Sequence, residues 1–151
     1  MKAHKQTRFA LGLLLALSLL AGASITVAVL AQQETSPQYR DPQLERFYTE
    51  YNKQYFSSRL PQEMVVVWDD NLLSVYGDYA FADRQGKRIM VASEFQGLTD
   101  PTRIYILHEM THFELWRQGI ELDTDGPDGH GPKFQSEMRR LALSGAFDEI
   151  W

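Results

Sequence analysis

Cysteine is missing from all 151 residues. Its absence excludes disulfides, a cysteine-built zinc ribbon and a thiol nucleophile, and leaves the redox compartment unassigned by composition. Acidic residues are missing from residues 1–31, where Lys2, Lys5 and Arg8 are the formal charges. Three of the fifteen Lys and Arg fall there, so residues 32–151 keep twelve basic against twenty acidic residues, a net of −8. A domain so short of positive charge repels phosphate backbones, and no nucleic-acid partner is expected. Histidine is scarce, with His4 near the start and only His108, His112 and His130 beyond it. Internal repeats are absent, and biased composition is confined to the N-terminal segment.

That segment is the first positive feature. Residues 1–8 are basic, and residues 9–31 form an uncharged, mostly apolar run of 23 residues. The pattern is an export signal. Small residues at Val29 and Ala31 suit cleavage after Ala31, and Ala21-Gly22-Ala23 offers an earlier site. The run is also long enough to span a bilayer, so residues 1–31 read equally as a signal peptide or as a single N-terminal hydrophobic helix anchoring the chain in the membrane. Basic residues before it and Glu34 after it orient the rest of the chain outward, which predicts an extracytoplasmic domain in either case. Residues 32–40 (QQETSPQYR) are polar and aperiodic and read as a linker, so the folded domain is expected over residues 41–151.

The domain's pattern is α+β. Asp41-Pro42 is a cap followed by proline at a first helical position, and Leu44, Phe47, Tyr48, Tyr51 and Tyr55 recur at helical spacing. Residues 64–68 (MVVVW) are a β-rich run, residues 74–82 (SVYGDYAFA) a second strand candidate, and residues 88–92 (RIMVA) a third, joined to the second by a hairpin over residues 83–87. The expectation is a small antiparallel sheet of about three strands, packed with three main helices. Thr99-Asp100-Pro101 opens the middle helix and Gly119 stops it, giving a helix over about residues 101–118.

In the middle of that helix stands HEMTH, residues 108–112. Side chains four apart on a helix share a face, roughly 6 Å apart at Cβ, so the imidazoles of His108 and His112 can converge on one ion. Glu109 is turned one position aside, which places its carboxylate next to the ion. There it can take a proton from water whose pKa the ion lowers from above 15 to about 7. Ile104, Leu107, Phe113 and Leu115 supply apolar surface to fix the helix. The pattern points to one Zn2+ ion and a hydrolase.

Two imidazoles leave a catalytic zinc one protein ligand short. His130 is the remaining histidine of the domain, set in a glycine-rich stretch, DTDGPDGHGPKF, residues 123–134. Pro132 there begins a third helix with Phe134, Met138 and Leu141 inward. Glu137 on that helix and Asp128 compete with His130 for the third position. A metzincin continuation is excluded, because Leu115 and Gln118 occupy the places where it needs glycine and histidine.

HEMTH followed by DGHGPKF at residues 128–134 resembles the SprT-like family of zinc metallopeptidases. The likeness extends upstream through residues 51–56 (YNKQYF), Leu60-Pro61, the valine-rich strand ending in Trp68 and the stretch through Gly77, and covers roughly residues 41–143. The resemblance implies a minigluzincin-like zincin core, His108, His112 and His130 as zinc ligands, and Glu109 as the catalytic acid/base acting on a protein or peptide substrate. The chain departs from relatives that carry a four-cysteine zinc ribbon or DNA-binding segments. The peptidase chemistry is therefore kept and the DNA role dropped.

Tyr76 and Tyr79 are candidates for stabilising an oxyanion, although packing explains them as well. The third strand is the candidate sheet edge for binding an extended peptide by strand addition. Asp123, Asp125 and Asp128 around Gly126 lack the terminal glutamate of a calcium loop and read as a solvated turn, with Asp128 available to hydrogen-bond a ligand histidine. Arg139 and Arg140 belong to a solvated helix face. Two rivals to the peptidase remain, a zinc-bearing binding or scaffold domain and a zinc hydrolase of non-peptide amides.

Overall fold

The computed structural model describes residues 38–148. The export or anchor segment at residues 1–31 and most of the expected linker lie outside the described residues. Among the described residues no helix is long and apolar enough to cross a membrane.

The last three residues of the expected linker form β1, Gln38–Arg40. Three polar residues carry no alternation of their own. They are ordered by pairing antiparallel with β2, Val65–Asp69, in the register Gln38↔Asp69 and Arg40↔Val67. Helix α1, Pro42–Tyr55, starts as the sequence predicts: Asp41 Oδ1 accepts from the Gln43 N–H at 2.7 Å, and Pro42 needs no hydrogen bond at that position. The other oxygen of Asp41 accepts from Trp68 Nε1 at 2.9 Å, so one carboxylate both caps α1 and ties it to β2. The stripe Leu44, Tyr48, Tyr51 and Tyr55 is buried, and Phe47 packs beside it.

Beyond β2 the chain departs from expectation. Residues 74–82 are not one strand. Leu72–Tyr76 form a single π-helical turn, closed by Gly77 in the left-handed region at φ 79°, where a side chain would be strained. Only Ala80–Asp83 are extended, as β3. The hairpin after β3 forms as expected and leads to β4, Arg88–Ala92, with Ala80↔Val91 and Asp83↔Arg88 paired antiparallel. The sheet is four-stranded and mixed, in the order β1-β2-β4-β3, because β4 inserts between β2 and β3 and runs parallel to β2. This corrects the three-stranded antiparallel expectation while keeping the α+β class. The π turn carries the chain outward past the place β4 will occupy, which makes β3 an edge strand.

Helix α2, Thr99–Arg117, crosses the sheet on the same side as α1. It begins two residues earlier than expected. Thr99 lies inside the helix, and Thr102 Oγ1 bonds the Leu98 carbonyl at 2.7 Å. Gly119, at φ 78°, ends it as expected. Ile106, Leu107 and Met110 are fully buried between the sheet, α1 and α3, Pro132–Leu143. The sheet therefore has two apolar faces. Val66, Trp68, Ile89 and Val91 meet the helices, while Val67 and Met90 meet Leu72 of the π turn. Residues of α2 that look neither to sheet nor to helices line the space beside β3.

Candidate metal centre and its cleft

Helix geometry sets His108 and His112 on one face, with ring centroids 5.2 Å apart. The chain brings His130 to them through a loop that folds onto itself. Asp125, only 4% exposed, turns its carboxylate onto the start of α3, accepting from the Lys133 N–H at 2.9 Å and the Phe134 N–H at 2.7 Å. This is a helix cap supplied from seven residues before the helix begins, and a carboxylate suits the positive end of α3. Gly131 passes so close to the Asp125 carbonyl that a Cβ there would overlap it. Gly129, at φ 72°, leaves the space that Leu122 fills. Between these two glycines His130 is held against α2, its Nε2 3.0 Å from His108 Nε2. Phe134 lies under all three rings, with centroids 4.6 to 4.8 Å from each.

One nitrogen from each of His108, His112 and His130 falls within 4.8 Å of the others, so the three can hold a metal ion. Other features of the site fit that use. His112 Nδ1 is buried without a hydrogen-bond partner. The rings of His108 and His112 are also kept neutral, the form that donates a lone pair to a metal. Burial, helped by His130, pushes His108 down to about 4, and burial with both neighbouring imidazoles pushes His112 down to about 3. Glu137 and Asp128, the competing candidates, are not part of this group. Glu137 is engaged by Arg140 at 2.6 Å. Asp128 reaches the cleft but hydrogen-bonds no histidine among the described residues. The acidic stretch is not simply a solvated turn, since Asp125 is its buried brace. Arg140, expected on a solvated face, lies over the Phe56 ring at 5.6 Å.

Glu109 lies beside the histidines, 5% exposed, with Oε1 3.9 Å from His108 Nε2. Burial raises its pKa, the charge of Asp78 raises it further, and a hydrogen bond from the Ala82 backbone partly offsets both, leaving it at about 8. Asp78 and the Ala82 N–H were not legible in the sequence. Both depend on β3 being an edge, which no local pattern announces.

Histidines and Glu109 open into a cleft of about 340 Å³, lined also by Ala80, Phe81 and Ala82 of β3 and by Trp116 and Leu122. The open edge expected at the third strand is not there: that strand is the interior β4, and the edge at the cleft is β3. Tyr79 packs on Phe95 and Tyr105, and neither it nor Tyr76 lines the cleft.

A small α+β domain with three convergent histidines and a buried glutamate on one helix has the build of a zincin-like, metallopeptidase-type domain. Residues 44–148 match the model of the SprT-like family, and the chain belongs to that family. No solved structure matches the chain.

Proposed function

We propose that this is a zinc-dependent peptidase that hydrolyses protein substrates outside the cytoplasm, with His108, His112 and His130 as zinc ligands and Glu109 as general base and acid. The observation that carries the reading is the three-histidine cluster beside a buried carboxylate that has no cationic partner among the described residues, in a cleft that a sheet edge borders. The extracytoplasmic setting rests on the basic-then-apolar pattern of residues 1–31. If the apolar run stays uncleaved, the membrane is a partner through it. The acidic domain argues against a nucleic-acid partner.

Zinc in this site would acidify water and polarise a peptide carbonyl. The protein's own groups do the rest. Apart from the Ala82 N–H, which Glu109 takes, the outer edge of β3 offers backbone N–H and C=O groups to an extended peptide, aligning one peptide bond across the histidines. Glu109 accepts a proton from the attacking water at its carboxylate and returns it to the departing amine as the C–N bond breaks. A raised proton affinity serves both halves, because a carboxylate that binds the proton readily can hold it until the amine leaves.

The test uses the full-length chain. Zinc content by elemental analysis should be close to one ion per chain and should fall in His130→Ala. An unfolded protein substrate should be cut by the wild type and spared by Glu109→Gln. Equal cleavage by both would overturn the mechanism and leave a zinc-bearing binding domain, and undiminished zinc in His130→Ala would remove that residue from the ligand set.

A further inference from the structure

The cleft combines large apolar side chains with carboxylates. Its large apolar side chains are Trp116, Leu122 and, from β3, Phe81, which stands between the small Ala80 and Ala82. Leu122 is 37% exposed although it is apolar, and its side chain packs onto Gly129, next to His130, where a Cβ would otherwise stand. Trp116 lies one turn beyond His112, ring centroids 6.1 Å apart, with the Arg84 guanidinium 5.7 Å over its ring. Arg84 is itself paired with Glu121 and does not line the cleft. Asp78, Glu109 and Asp128 also line the cleft, and among the described residues no Lys or Arg does.

Resting on the peptidase reading, the geometry points to a substrate class: extended polypeptide that seats a large apolar side chain on Leu122 and Trp116 beside the cleaved bond, with neutral or basic residues flanking it. Folded proteins bury such stretches, so the substrates are unfolded or locally unfolded chains. The apolar seat contributes because water leaves a wall that is fixed in place before the peptide arrives. Asp78 and Asp128 repel a carboxylate brought into the same confined space and attract an ammonium or guanidinium group.

Quenched fluorescent peptides identical but for Leu, Gly, Lys or Glu at a single position on either side of the bond provide the test, using zinc-loaded full-length protein. The Leu peptide should exceed the Gly peptide in kcat/KM by about tenfold or more, the usual discrimination of an apolar pocket. Leu122→Ala should shrink that ratio to a few-fold, and Leu122→Met, which restores bulk, should recover it. The Lys-to-Glu ratio should exceed one and fall in Asp128→Asn, since Asn tolerates the positive φ of 54° found at Asp128. Equal rates for Leu and Gly peptides, or ratios untouched by these variants, would overturn the assignment. Binding of the same labelled peptides to Glu109→Gln, read by anisotropy, separates the two ideas. If no peptide is cut, the peptidase reading fails, and a Leu-over-Gly preference in binding upholds the seat while its absence overturns it.

Discussion

Two glutamates stand five residues apart on α2, both out of water, and they live opposite lives. Glu114 is 1% exposed and receives Arg117 at 2.8 Å through two nitrogens, Gln118 at 2.9 Å and Arg59 at 3.3 Å. Glu109 is 5% exposed and has within ion-pair reach, among the described residues, only the neutral imidazole of His108. Burial alone would raise both. At Glu114 the hydrogen bonds from Arg117 and Gln118 and the charge of Arg59 outweigh it and hold the carboxyl below its ordinary range. At Glu109 burial stands, and Asp78 adds to it. One carboxylate is matched by cations and holds the fold together; the other has the Ala82 backbone hydrogen bond but no cationic partner among the described residues, and burying it costs stability.

The sharpest way to break this contrast is Glu109→Gln. Its rate on an unfolded protein should fall by about a hundredfold or more, while its melting temperature by calorimetry should match or exceed the wild type, because an amide has no charge to strip of water. A clear loss of melting temperature would make Glu109 a structural residue and collapse the distinction. Next in size is Glu114→Ala, which leaves two guanidinium groups without their acceptor. Urea denaturation should show a loss of about 2–3 kcal/mol, with zinc content and the rate of the folded protein retained.

Asp125→Ala should cost about 1–2 kcal/mol as a lost helix cap, measured in the same denaturation experiment. It should also weaken zinc affinity by roughly tenfold or more, as the brace for His130 is lost. The smallest effect is on pH dependence. Glu114 has a folded-state pKa below its unfolded value, so its contribution is complete above the ordinary glutamate range and disappears as pH falls through the folded value. The stability gap between wild type and Glu114→Gln in zinc-free protein should therefore close on acidification below that range. His108 and His112 also oppose folding in acid, but equally in both proteins, and drop out of the difference. A gap constant across the acid range would contradict the compensated state of Glu114.

Legibility in the sequence followed the reach of the forces involved. Helix α2 could be read because helical spacing and its glycine stop are local, and with it the convergence of His108 and His112 and the flanking place of Glu109. The start of α1 was legible for the same reason. The third ligand could be narrowed only to His130, Glu137 and Asp128 from the residues themselves, and the family likeness singled out His130. Strand order was hidden, since the parallel pairing of β2 with β4 is decided by contacts between segments some twenty residues apart. β1 was hidden because three polar residues acquire their conformation from a partner strand. Asp125 looked like surface in a run of acids. Its burial follows from a chain crossing that no spacing rule anticipates.

That crossing has a consequence for how the site arises and how it could be moved. The backbone contacts that set His130, from Asp125 to Lys133 and Phe134, from Gly131 back to Asp125 and from Gly129 to Leu122, all fall within residues 122–134. Contacts this short in sequence close quickly, because little loop entropy is lost in making them. The arm that presents His130 is thus a cassette of thirteen residues, in principle graftable as a unit onto another helix pair, whereas β3 cannot be transplanted without the whole sheet that makes it an edge.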